Sequence, residues 1–387
     1  VKFHVRELDK LLDALKRRGY DVIGPTVRDG AIVYDHLSQT EDLPKGITDQ
    51  QEPGRYRLAH RDDGALFGFA VGPHSWKQYT HPAKVKLFNA TQQNNVFRIL
   101  NTPDHSKQYA FLGVRACELA AIRIQDRVIL EGPYRDPVYQ ARRANAFLIA
   151  VQCTHSASTC FCASMGTGPH IDDPAVDMTL TELIDESGHW FLARTGSARG
   201  REVLAELECA EPTNEDQLAA LSRVDAAARA QTRAIDNSGI RELLYQNFEH
   251  PRWDNVAERC LACANCTMVC PTCFCTTVED VSDVTGAHAE RWRLWDSCFT
   301  MNFSYIHGGS VRASGKSRYR QWMTHKLAAW IDQFGTSGCV GCGRCIAWCP
   351  AGIDITEELK AIRQPGRRAR LEEDTQEEET TYGKTYA

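Results

Sequence analysis

Residues 260–275 read CLACANCTMVCPTCFC, six cysteines in one short stretch. The first four, Cys260, Cys263, Cys266 and Cys270, are spaced C-x2-C-x2-C-x3-C and followed by Pro271. The same spacing returns in CVGCGRCIAWCP (339–350), with Cys339, Cys342, Cys345, Cys349 and Pro350. A cubane of iron and sulfide needs one thiolate on each of its four irons. A compact CxxCxxC loop wraps three corners, and in two-cluster ferredoxins the fourth cysteine ligates the other cluster. The spacing therefore pairs Cys260, Cys263 and Cys266 with Cys349 around one [4Fe-4S] cluster. It pairs Cys339, Cys342 and Cys345 with Cys270 around a second. Zinc fits less well, because its sites use CxxC pairs across a longer loop and need four ligands in all. Each proline lacks an N–H and restricts the residue before it, which turns the chain away from the metal.

More thiols lie outside these runs. Cys273 and Cys275 end the first stretch as CxC, and Cys298 sits in WDSC. They are either weaker candidates for metal ligands or structural thiols packed around the clusters. Cys117 follows the apolar run AFLGV (110–114), and Cys153 directly follows AFLIAVQ (146–152). If these runs are parallel strands, both cysteines emerge at the carboxyl edge of a sheet, where open α/β folds bind ligands. The next loop, CTHSASTCFCASMGTGP, adds Cys160 and Cys162. Cys117, Cys153, Cys160 and Cys162 suffice for a third iron–sulfur cluster. A zinc site or four unrelated thiols are the alternatives. Gly166 and Gly168 either let backbone approach a cofactor or make a simple turn. Cys209 reads as a packing residue.

The elements that must position these residues fall into three parts. Phe3, Val5, Leu8, Leu11, Leu12 and Leu15 recur at helical spacing, so the chain opens as an amphipathic helix, with a strand at DVIGP. GAIVYDHL, GALFGFAV and NVFRIL read as strands. AFLGV, the helix RACELAAIRIQDRVI, the helix RDPVYQARRAN and AFLIAVQ make a βαβ unit. DMTLTELI and HWFLARTG add strands. Residues 1–235 thus form an α/β domain. Helices at DQLAALSRVDAAARAQTRAI and IRELLYQNF lead into a mostly α-helical, ferredoxin-like dicluster domain at 236–365. A long insertion, 276–338, separates its cysteine runs. Its basic residues Arg312, Lys316, Arg318, Arg320 and Lys326 form a solvated face, or a surface that steadies anionic clusters or docks an acidic partner. Residues 366–387 are a charged tail, disordered or ordered only against a partner.

Bulk properties narrow the function. A net charge of −5 over 387 residues gives no basic footprint for nucleic acid. No apolar run is long enough to span a membrane. The charged N-terminus has no secretory h-region, which points to the cytoplasm. Sixteen cysteines in a reducing compartment favour metal binding or redox work over disulfides. No nucleophile–base motif or nucleotide fingerprint stands out.

LGVRACELAAI, CFCASMGTGP, CLACANCTMVCPTCFC, WDSC and CVGCGRCIAWCPA occur in this order. Together they resemble the beta subunit of soluble sulfhydrogenase-type, NAD(P)-linked [NiFe] hydrogenases, to which one of the subunits of anaerobic sulfite reductase is related. The resemblance covers about residues 80–350. It implies an electron-transfer subunit of a cytoplasmic heterotetramer, with a flavin subunit that exchanges electrons with NAD(P)H, a cluster-bearing small subunit, and a NiFe large subunit. Such a chain carries electrons without an active site of its own. The resemblance also admits a sulfur- or polysulfide-reducing component using Cys160, Cys162, Cys273, Cys275 and Cys298, or an electron-transfer subunit of a sulfite reductase. An assembly scaffold with one structural zinc is a third reading.

Overall fold

The computed structural model describes residues 1–94, 96–100, 107–173 and 175–364. The tail at 366–387 lies outside the described residues. Its strands are β1 (Lys2–His4), β2 (Asp21–Arg28), β3 (Ala31–His36), β4 (Ile47–Glu52), β5 (Arg55–His60), β6 (Lys84–Gln93) and β7 (Val96–Leu100). Then follow β8 (Tyr109–Val114), β9 (Phe147–Val151), β10 (Met178–Asp185), β11 (Gly188–Thr195), β12 (Cys209–Ala210), β13 (Thr276–Ser282) and β14 (His288–Trp295).

An eight-stranded sheet, ordered β12-β1-β11-β10-β9-β8-β2-β3, organises the first half. Its centre, β10, β9, β8 and β2, is parallel, and its flanks are antiparallel. β8 and β9 are buried at every position, because both faces of the sheet are covered. Leu112, Phe147, Ile149 and Val151 point into one core with Leu8, Leu11 and Leu15. Phe111, Val114, Leu148 and Ala150 point into a second with Leu119 and Ile122 of the helix Ala116–Ile129. The expected strand–helix–helix–strand unit around Cys117 and Cys153 is present, and its strands are parallel.

Two local expectations change. Phe3 belongs to β1, which pairs with β11, and the helix starts only at Leu8. Either conformation buries Phe3, and strand pairing selects the extended one. GALFGFAV is buried but is not a strand. Glu182 accepts the amides of Leu66 (2.6 Å) and Phe67 (2.9 Å), and Asp49 accepts that of Ala70 (2.6 Å). Carboxylates thus satisfy the backbone where a sheet ladder would have done so.

The second half carries short helices at Ile240–Gln246, Arg252–Arg259, Gly315–Thr324, Trp330–Phe334 and Ile355–Arg363. They share a core with Trp253, Phe299, Trp322, Met323 and Leu327. It is nevertheless not mostly α-helical. The insertion forms β13 and β14, and these join β6 and β7 in a four-stranded sheet, β13-β14-β6-β7. Lys84 and Lys86 lie over Trp292 at 4.4 and 4.9 Å, and Lys86 pairs with Glu290 at 2.6 Å. Cross-strand contacts of this kind stabilise a half-exposed sheet. One sheet therefore draws strands from both sides of residue 235. No helix among the described residues is long and apolar enough to cross a membrane.

Candidate metal centres

Each cysteine run closes as a tight loop followed by one helical turn, Asn265–Met268 in the first run and Arg344–Ala347 in the second. The fourth cysteine leaves each loop. Cys260, Cys263, Cys266 and Cys349 line one cavity, with Leu261, Phe299, Tyr319 and Trp322 around them. Cys339, Cys342, Cys345 and Cys270 line another, with Phe161, Trp322 and Lys326. Three thiols from one run thus meet the fourth of the other in each cavity. Cys345 also borders the first cavity, so the two spaces adjoin.

Tyr319 lines the first cavity and Trp322 lines both, and Tyr319 Oη and Trp322 Nε1 are buried with no hydrogen-bond partner among the described residues. Buried donors without acceptors are costly, and sulfide or thiolate sulfur would satisfy them. A cubane places each thiolate on its own iron, which asks for a wider set than tetrahedral zinc. Burial pushes the Cys339 thiol up to about 12 and holds those of Cys266 and Cys345 well above the usual thiol range. Metal binding there would have to hold these thiols as thiolates. On donor set and surroundings, both cavities fit iron–sulfur clusters.

The four N-terminal cysteines gather at the carboxyl edge of β8 and β9. Cys117 opens the helix after β8, and Cys153 follows β9. Cys162 lies close enough to Cys117, Cys153 and Cys160 for their charges to interact. Burial raises the pKa of all four. Gln231, past the helix Asn214–Arg229, donates to Cys162 Sγ at 3.2 Å.

This group is packed on the second run. Cys117, Cys162 and Cys342 share one apolar cluster. Phe161 N donates to Gly341 O at 2.8 Å, and Thr167 Oγ1 to Val340 O at 2.7 Å. A Cβ on Gly341 would stand 2.6 Å from the Cys162 backbone, and one on Gly343 2.3 Å from Thr159 O. Only glycine permits this approach. Arg344, fully buried between Cys342 and Cys345, donates to Glu118 Oε1 at 2.5 Å and to the carbonyls of Gly72 and His74 at 2.8 Å. Glu118 follows Cys117 and also accepts from Tyr34 (2.7 Å), Trp76 (2.9 Å) and its own helix N-terminus, Arg115 N (3.1 Å).

Cys273 lies beside the second site, 3.5 Å from Lys326 Nζ, and Cys298 lies beside Cys275. The Cys298 thiol and amide lower Cys275 to about 7 and leave Cys298 raised. Of the expected basic face, Lys316 pairs with Asp254 (3.0 Å) and Arg320 with Glu249 (2.9 Å). Arg318 caps the Phe299 carbonyl at 2.9 Å. Lys326 is buried and reaches Cys270 Sγ at 3.2 Å. Sequence reasoning missed Arg344, Glu118 and Lys77 altogether, and it put Lys326 on a solvated face or on a surface that steadies anionic clusters or docks an acidic partner, where the structure buries it. The one available signal was a charged residue between two ligand cysteines, since loops that wrap metal seldom leave such a side chain free.

A family model described as a 4Fe-4S dicluster domain matches residues 259–353. Sulfhydrogenase 2 subunit beta of Pyrococcus furiosus is 34% identical over 368 residues, covering 94% of this chain and 98% of that protein. This chain belongs to the sulfhydrogenase beta-subunit family. As a sulfhydrogenase beta-subunit homologue with a dicluster domain, it is an iron–sulfur electron-transfer protein. No solved structure matches it.

Proposed function

We propose that this chain is the electron-transfer subunit of a cytoplasmic, NAD(P)-linked [NiFe] hydrogenase complex, linking the complex's other redox centres to its flavin subunit. Cys260, Cys263, Cys266 and Cys349 hold one [4Fe-4S] cluster, and Cys339, Cys342, Cys345 and Cys270 a second. Cys117, Cys153, Cys160 and Cys162 hold a third iron–sulfur cluster. Bound there, these groups supply one-electron storage and transfer. The chain's own residues set where that happens. Gly341 and Gly343 let the second run lie directly on the loop carrying Cys160 and Cys162. Arg344 and Glu118 tie the second run to the helix that carries Cys117 and bring a matched pair of charges into a buried region. Leu261, 68% exposed, and the exposed Cys263 leave the first site open to a partner.

The observation that carries this reading is the adjacency of three thiol sets, with the second set in contact with both others. The test is iron, acid-labile sulfide and zinc per chain on anaerobically purified protein, with low-temperature EPR after reduction. We expect about twelve irons and no zinc. About eight irons with one zinc would make the N-terminal set structural and leave a dicluster relay.

A further inference from the structure

The second site contains two buried amines that the cysteine pattern does not call for. Lys326 lies in a π-helical turn, His325–Ala329, between two α-helical segments. Such turns concentrate at functional sites, because they re-aim a side chain. Here the turn drives Lys326 inward, to 4% exposure. Its Nζ donates to Cys270 Sγ (3.2 Å), Thr272 Oγ1 (3.1 Å) and Gly338 O (3.0 Å), and lies 3.5 Å from Cys273 Sγ. Gly338 directly precedes Cys339, so this amine links the fourth cysteine of one run to the start of the other. Lys77, also 4% exposed, donates to Cys273 O at 3.0 Å and lies 4.0 Å from the centre of the Trp295 ring.

A buried ammonium needs a negative partner. Among the described residues no carboxylate lies within ion-pair distance of either amine; the polar side chains around Lys326 are the Cys270 and Cys273 thiols and the Thr272 hydroxyl, and Lys77 rests on the Trp295 ring beside them. The first site is different. Its sulfurs receive neutral donors, the amides of Ala262 to Cys260 Sγ and Ile353 to Cys349 Sγ, both at 3.4 Å. Reduction adds one electron and makes a site one charge more negative. A fixed cation beside a ligand sulfur favours that state, and so does an N–H···S bond from a charged donor.

We propose that Lys326, supported by Lys77, raises the electron affinity of the second site above that of the first, so that the second site is the electron sink of the pair. The proposal rests on the cluster assignment above. Lys326 and Lys77 are positioning residues that act through charge, and removing them should change a potential without removing a ligand.

The test is a dithionite-poised redox titration of the anaerobic full-length chain, followed by EPR. Variants are Lys326→Gln, Lys326→Arg and Lys77→Met, with Cys263→Ser used to assign the first site's signal. Iron content is measured on each. We expect Lys326→Gln to lower one midpoint, that of the second site, by at least tenfold in electron affinity, about 59 mV for one electron. Lys77→Met should move the same midpoint by less, and Lys326→Arg should restore it. The first site should not move in any of the three. Unmoved midpoints at full iron content, or equal shifts of both sites, would overturn the proposal. If Lys326→Gln loses iron, Lys77→Met decides by the same criterion. Loss of iron in both would also overturn it, because the amines would then hold the fold. If wild-type protein shows no pair of [4Fe-4S] signals, the cluster assignment fails instead.

Discussion

Run 260–271 and run 339–350 fold alike but sit in opposite surroundings. Ala262 and Ala264 have φ of 50° and 67°, and their counterparts Gly341 and Gly343 have 63° and 73°. Both loops therefore use the left-handed region twice. The first run does so with alanine, although this region costs an ordinary residue about 1–2 kcal/mol. It can, because its methyl groups have room: Ala262 is half-buried and Ala264 packs into the apolar core shared with Trp322. The second cannot, because Thr159 and Cys162 occupy the space a methyl group would fill. The residue before the third cysteine follows the same rule. In the second run it is the buried, ion-paired Arg344, and in the first it is Asn265, which donates to Trp348 O at 3.1 Å. The metal dictates the shared spacing, and each loop's neighbours dictate the residues between the cysteines.

The largest test of this contrast substitutes the paired positions. Arg344→Met leaves Glu118 buried without its counter-charge and should cost about 3–5 kcal/mol. Asn265→Ala removes one hydrogen bond at an exposed edge and should cost about 0.5–1.5 kcal/mol. Anaerobic denaturant titration of the two variants reads the difference, and equal costs would refute the contrast. Gly343→Ala comes next. Forcing the Cys160–Cys162 loop away should cost about 1–3 kcal/mol, and iron analysis should show loss at the second and N-terminal sites while the first keeps its metal. The smallest effect belongs to Ala264→Gly. Relief of the left-handed strain is offset by the greater freedom of unfolded glycine, about 0.4–1 kcal/mol. Stability should stay within about 1 kcal/mol of the parent, with iron content unchanged.

The sequence was most informative where one physical demand acted alone. Buried parallel strands need unbroken apolar runs, and β8 and β9 stand out for that reason. Cysteine spacing shows which thiols can share a loop. It is silent on what packs behind the loop, so the contact between Cys162 and the second run could not be read. The insertion's strands were hidden because HAERWRLW alternates charged with aromatic residues on a sheet whose two faces are both partly wet. Lys326 looked like its basic neighbours, since nothing in HKLAAW marks a turn that widens and carries the amine inside. Phe3 fitted a helical stripe as well as a strand, and only its partner β11, nearly two hundred residues away, decides between them.

The mixed sheet β13-β14-β6-β7 imposes an order on events in time. Lys86 and Glu290, which pair across it, are 204 residues apart. A ribosome adding roughly 5–20 residues per second needs on the order of ten to forty seconds to cover that interval. Through that interval β6 and β7 lack the strand that lies beside them in the finished protein. The edge of β6 that β14 finally covers stays open to other chains throughout. Nascent molecules are thus exposed to mispairing along β6 until residues 288–295 emerge, which is before the last cysteines that would seal the metal sites.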